Sequence, residues 1–138
     1  MQQFKLEIYT PKKQFFSDDA QAVTCTALDG EITVLANHQP MTVALAPGEL
    51  KIKTNGEWRS AYNSEGFMEV RGDSVLIFSH LCEWPEDIDE VRAKAAIERD
   101  NEQLRNTTSL SEHRRSEVEL QRMLAMLRVR NKNTEINL

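Results

Sequence analysis

All five glycines and all four prolines fall within residues 1–85, and from residue 86 to 132 the chain has neither. That asymmetry narrows the available folds, because Gly and Pro punctuate short strands and break helices. The uninterrupted part is rich in Ala, Glu, Arg and Leu and reads as helix. The break at Trp84-Pro85 is the expected domain boundary, giving residues 1–85 and 86–138.

Before the break the apolar period is two. Phe4, Leu6 and Ile8 alternate with Lys5 and Glu7, and Val23, Cys25 and Ala27 alternate with Thr24 and Thr26, as strands with one buried face require. Asp29-Gly30 separates this second strand from another at 32–35. Leu50-Lys51-Ile52-Lys53 runs through Asn55-Gly56 into a strand at 58–62. Asn-Gly between alternating runs predicts a hairpin, since both residues tolerate the positive φ that a tight turn demands. A second hairpin is expected from 67–70, the turn Gly72-Asp73, and 75–78. Many short strands at close spacing predict an antiparallel β-sandwich or barrel.

Beyond the break, Asn106-Thr107-Thr108-Ser109 interrupts the helical run, and Ser109 with Glu112 has the spacing of a capping box. Two helices in an antiparallel hairpin follow. Ala93, Ile97 and Leu104 share one stripe of the first helix, interrupted by Asp100. The second helix carries two stripes: Leu120, Leu124 and Leu127 on one side, Val118, Ala125 and Val129 on roughly the other. Such a helix can pack against two partners at once or exchange one for another.

Seventeen basic and twenty-two acidic side chains give a net charge of −5, the wrong sign for holding nucleic acid through its phosphates. The charge is uneven. Between residues 114 and 132 two acids face Arg114, Arg115, Arg122, Arg128, Arg130 and Lys132. This basic helix is either a solvated face biased towards the acidic first helix or a docking surface for an acidic partner.

No stretch approaches the roughly 20 apolar residues that span a bilayer, and the N-terminus lacks the apolar core of a signal peptide. A cytosolic chain without membrane insertion is expected. Cys25 and Cys82 match no paired metal-ligand spacing and read as buried thiols, so neither a metal site nor a disulfide is expected. G-x-S-x-G, a phosphate-binding Gly-Lys-Ser/Thr loop and H-E-x-x-H are all missing from the sequence. His38, His80 and His113 are scattered, and no catalytic residue is assigned.

Two segments stand out. In Asp29-Gly30-Glu31-Ile32-Thr33-Val34-Leu35-Ala36-Asn37-His38-Gln39-Pro40-Met41, polar turns flank a short strand, with Asn37 suited to a left-handed conformation. In Glu86-Asp87-Ile88-Asp89-Glu90-Val91-Arg92-Ala93, acids complement a helix N-terminus and Asp89 can pair with Arg92. On a helical wheel Asp89, Arg92 and Arg99 lie within about 80° of one another. A carboxylate beside two guanidinium groups also suits a nucleotide, accepting from an adenine amino group and donating to phosphates.

With both segments in view, the chain resembles the epsilon subunits of bacterial F-type ATP synthases. The first segment resembles that family's Gly-Glu-Leu-Gly-Val-Leu-Pro-Gly-His-x-Pro, and Gly66-Phe67-Met68-Glu69-Val70 resembles its Gly-Gly-Phe-Leu-Glu-Val strand. Ile88-Asp89-x-x-Arg92-Ala93 matches a third motif. Thr33 replaces a usual Gly, Ala36 a Pro and Asn37 a Gly.

The resemblance implies a ten-stranded sandwich and a helical hairpin on the central rotor stalk, at the cytoplasmic face of the bacterial membrane. The sandwich would bind the gamma subunit and the ring of c subunits, with Glu31 and His38 in a loop facing the ring. The hairpin would open to reach the catalytic beta and alpha subunits and restrain ATP hydrolysis. Arg114, Arg115, Arg122 and Arg128 are the candidates for an acidic segment of beta. No cofactor is required. Glu83, Ile88, Asp89, Arg92, Ala93, Arg99 and Arg122 match positions of an ATP site in some members. A further basic position of that site is Met126 here, so ATP is expected to act at most as a weak regulatory ligand. A free-standing ATP-sensing adaptor is the alternative.

Overall fold

The computed structural model describes residues 2–106 and 110–136, and for residues 90, 100, 103–106, 110–113, 116 and 132–136 the backbone alone. Ten strands come first: β1 (Phe4–Tyr9), β2 (Gln14–Ala20), β3 (Ala22–Ala27), β4 (Gly30–Leu35), β5 (Met41–Leu45), β6 (Gly48–Thr54), β7 (Glu57–Asn63), β8 (Gly66–Arg71), β9 (Ser74–Ser79) and β10 (Cys82–Glu83). A 3-10 turn at Pro85–Asp87 leads to α1 (Glu90–Asn106) and α2 (Leu110–Ile136). The chain forms two compact units, Met1–Glu83 and Trp84–Leu138.

The strands are hydrogen-bonded in the order β10-β7-β6-β3-β5-β8-β9-β1-β2, with β4 on the other edge of β3. One residue pair, Ala27 with Leu45, joins β3 to β5. At that narrow junction the ladder folds over, setting β4-β3-β6-β7-β10 against β5-β8-β9-β1-β2. Inward-facing Phe4, Leu6, Ile8, Val23, Cys25, Leu50, Ile52, Met68, Val70, Val75 and Ile77 fill the space between and are buried. Each such side chain stabilises the fold by about 1.5–3 kcal/mol relative to exposure.

The fold is the expected sandwich and helical pair, and it differs in particulars. β1 pairs in parallel with β9, Leu6 opposite Val75 and Ile8 opposite Ile77, so the sandwich is antiparallel except at this pair. The Asn-Gly hairpin forms as expected, Asn55 at φ 51 and Gly56 at φ 80, with Lys53 opposite Trp58. Asn37 adopts φ 64, and its amide donates to Gln2 Oε1 at 3.1 Å. At Gly66 a Cβ would lie 2.0 Å from the Phe78 carbonyl oxygen, so the β8–β9 pair closes only with glycine there.

Buried serines tie two turns together. Ser64 Oγ lies 3.0 Å from Ser79 Oγ and accepts from Leu81 N at 2.8 Å, while Ser79 Oγ donates to Leu81 O at 2.9 Å. The network fixes the start of β10, whose Cys82 and Glu83 pair with Asn63 and Tyr62.

In the helical unit, Arg99 Nη2 lies 3.4 Å from Glu119 Oε1, and Arg130 Nε donates to Ile88 O at 3.0 Å. Ile88 lies as far before Arg99 as Arg130 lies after Glu119, the register of an antiparallel pair. Ile88, Ala93, Ala125, Met126 and Val129 are buried. The Ser109–Glu112 capping box, the turn at 107–109, and the Leu104, Asp100 and His113 side chains lie outside the described residues.

Candidate functional site

The sandwich presents two faces with unsatisfied apolar surface. The outward positions of the β5-β8-β9-β1 layer alternate with the core residues, and the register places Ala44 beside Phe67, Phe67 beside Phe78 and Phe78 beside Tyr9. The rings stack, with centroids 5.0 Å apart for Phe67–Phe78 and 5.7 Å for Tyr9–Phe78. Phe67 remains 44% exposed. Glu7 and Glu69 border this row, each held locally: Tyr9 Oη donates to Glu7 Oε2 at 2.5 Å, and Arg71 Nε to Glu69 Oε1 at 3.0 Å. The Glu7 carboxylate raises the Tyr9 pKa above its ordinary value, mainly through that hydrogen bond. Stacked, half-exposed aromatics with pinned charges at the rim have the anatomy of a protein-docking surface. Sequence reading missed this row, because its members lie in three strands and meet only through pairing.

The second face is the free edge of β4. Glu31 is the second residue of the strand and is exposed, as are Thr33 and Leu35. His38 lies beyond the strand's other end, its Nδ1 2.9 Å from the Gln39 carbonyl. Glu31 and His38 therefore do not share a loop. Four strand steps separate Glu31 from Leu35, about 13 Å at the usual rise, so one partner reaching both residues must follow the edge. Beside Glu31 a cleft of about 510 Å³ opens between β4 and β5, lined in part by Leu28, Ile32, Met41 and Val43. Leu28 is 75% exposed at its rim.

In the helical unit Asp89 acts as a helix cap: its Oδ1 accepts from the backbone N–H of Arg92 at 3.1 Å, filling one of the donors that a helix start leaves open. Arg92 is exposed, Arg122 half-buried and Ala93 buried. Arg99 is engaged by Glu119. Met126 is buried apolar surface, where a phosphate would need a cation. Asp89 is thus engaged as a cap and Arg99 as an ion-pair partner. Glu83 belongs to the sandwich unit, opposite Tyr62. Arg114, Arg115 and Arg128 are exposed on α2.

Each of the two stripes of α2 is covered only in part. Ala125 and Val129 are buried. Leu120 and Leu127 are half-buried, and Leu124 and Val118 are each 43% exposed. Among the described residues no group of three or more His, Cys, Asp and Glu side chains is placed to hold a metal ion. No described helix is long and apolar enough to cross a membrane.

A ten-stranded sandwich bearing a row of stacked aromatics, followed by a pair of helices whose leucines are only partly covered, defines a two-part chain of sheet then helices. Family models match both parts in order: the ATP synthase delta/epsilon chain β-sandwich domain over residues 3–85 and its long α-helix domain over residues 86–131. The chain belongs to the family of ATP synthase epsilon chains. The ATP synthase epsilon chain of Caldanaerobacter subterraneus subsp. tengcongensis is 42% identical over 134 residues, covering 96% of this chain and 97% of the relative. The fold is shared with a chain of the Euglena gracilis mitochondrial ATP synthase assembly of OSCP, F1 and c-ring, at TM-score 0.81 and 22% identity, covering 93% of this chain and 81% of that one. A chain of the Tetrahymena thermophila mitochondrial ATP synthase central stalk and c-ring gives TM-score 0.66 at 14% identity, covering 94% and 97%.

Proposed function

We propose that this chain is a non-catalytic subunit of the central stalk, coupling c-ring rotation to ATP synthesis and restraining ATP hydrolysis through its helices. The observation that carries the inhibitory part is the partial covering of both apolar stripes of α2. Ala125 and Val129 are buried, while Leu124 and Val118 stay partly open beside Arg128, Arg114 and Arg115. The half-exposed Leu124 and Val118 leave apolar area still to be buried, so a partner offering a Leu-binding groove and carboxylates can compete for the helix. A ligand or partner shifts such an equilibrium only by its preference for one state.

In this reading the aromatic row of Tyr9, Phe78 and Phe67 seats the sandwich on the gamma subunit. The β4 edge, from Leu28 and Glu31 to His38, meets the c-ring, and Arg114, Arg115, Arg122 and Arg128 face an acidic segment of beta, near alpha. In this reading the chain also lies peripherally at the cytoplasmic face of the membrane. ATP is at most a weak ligand, because Arg99 must leave Glu119 to reach a phosphate and Met126 offers it nothing. These features argue against the free-standing ATP sensor.

Deleting residues 86–138 from the assembled synthase tests the proposal. Hydrolysis should rise while ATP synthesis driven by an ion gradient persists. Unchanged hydrolysis would remove the inhibitory role.

A further inference from the structure

The β6–β7 turn places a reactive pair beside a side chain from another element. In an Asn-Gly sequence the glycine nitrogen can attack the asparagine side-chain carbonyl. The N–Cγ bond closes a succinimide ring and the amide nitrogen leaves as ammonia. Water then opens the ring to aspartate or isoaspartate, the latter routing the backbone through the side-chain carbon. The chemistry is fast where the glycine N–H is free and the turn mobile. Asn55 and Gly56 are both exposed, and nothing lies within 4 Å of where a Gly56 Cβ would be.

The glycine nitrogen, however, is held. Gly56 N donates to Gln21 Oε1 at 2.9 Å, across from the corner between β2 and β3. The backbone of Gln21 is itself fixed, its N–H donating to Lys53 O at 2.8 Å, so the carboxamide is delivered from a sheet-anchored position. We propose that Asn55-Gly56 is a deamidation site whose rate is governed by Gln21: the accepted hydrogen bond keeps the Gly56 proton in place and the nitrogen turned away from Asn55 Cγ. Conversion adds a negative charge beside Glu57. In the isoaspartate form it also inserts an extra backbone carbon into a two-residue turn. The pairs Thr54–Glu57 and Lys53–Trp58 adjoin that turn, as does the ammonium of Lys53, 5.8 Å over the Trp58 ring. The modified hairpin therefore loses its register at the tip first.

The test is peptide mass spectrometry with isoaspartate-specific labelling on the full chain aged at neutral and mildly alkaline pH, with a short Thr-Asn-Gly-Glu peptide as reference. The intact chain should deamidate well below the peptide rate. Gln21→Ala should raise the rate by about three- to tenfold, the worth of one neutral hydrogen bond, with an unchanged circular dichroism spectrum. Gln21→Glu keeps an acceptor at the same reach and should stay near the parent rate. An intact chain that ages as fast as the peptide overturns the proposal, as does an unaffected Gln21→Ala. Equal acceleration in both variants also overturns it, since turn loosening rather than the acceptor would then set the rate.

Discussion

Replacing Arg130 with Met removes a contact that closes the helical pair at its open end. Methionine keeps an unbranched apolar stem and removes the guanidinium, so the Nε–H to Ile88 O bond of 3.0 Å is lost. A hydrogen bond with a charged donor contributes about 1.5–3 kcal/mol. Arg130 is half-buried, so the lower end applies, about 1.5 kcal/mol, or roughly a tenfold change in the paired-to-open ratio. Amide hydrogen exchange reads this directly: protection across residues 118–129 should fall about tenfold in the variant, while the β-strands keep theirs. Arg99→Met removes only an exposed pair at the other crossing and should change protection by less than about fivefold. Equal protection in wild type and Arg130→Met would refute the reasoning, since the bond would then contribute nothing beyond what water supplies.

Gly66→Ala should fail to form a stable sandwich, because the new methyl meets backbone at 2.0 Å; a loss of about 3 kcal/mol or more is expected in thermal unfolding, and a melting temperature near wild type would contradict it. Burial pushes the Cys25 thiol up to about 12 and the Cys82 thiol up to about 11. In the unfolded chain both ionise near their ordinary value, so above that value the unfolded state binds fewer protons and stability falls as pH rises towards 11 and 12. Denaturant melts between pH 8 and 11 should show that decline, and Cys25→Ser with Cys82→Ser should flatten it. Phe67→Ala should leave the isolated chain's melt within about 1 kcal/mol of wild type but weaken its binding to the gamma subunit by about 1–3 kcal/mol, measured by titration. Asp89→Ala should destabilise the start of α1 by about 1 kcal/mol in hydrogen exchange, the usual effect of losing an N-cap.

Much of the architecture was legible because it rests on local chemistry. Asn55-Gly56 can form little but a tight hairpin, and the alternation at Phe4, Leu6 and Ile8 needs a one-sided core. The strand β2 was not legible: Gln14-Phe15-Phe16-Ser17-Asp18-Asp19-Ala20 has no clean period, because an edge strand answers to one neighbour and to solvent. Nor was the parallel pairing of β1 with β9, since strand direction leaves no mark in composition. Of the candidate surfaces, Glu31 and His38 were proposed from a matching motif and the α2 arginines from the uneven charge of the chain. Tyr9, Phe67 and Phe78 were invisible until register brought them together. Asp89 was legible as an acid at a helix start but not as a cap, which depends on one oxygen's distance from one amide.

The parallel pairing of β1 with β9 also sets an order of events during synthesis. Leu6 finds its partner Val75 only after nearly the whole sandwich has been made, so the N-terminal strand waits unpaired, a long-range closure of the kind that slows folding. β2 pairs with β1 along one edge, Phe4 opposite Ala20, and can shield it as a hairpin in the meantime. On the ribosome β1 is thus made well before β9 and is locked on that side only when β9 arrives.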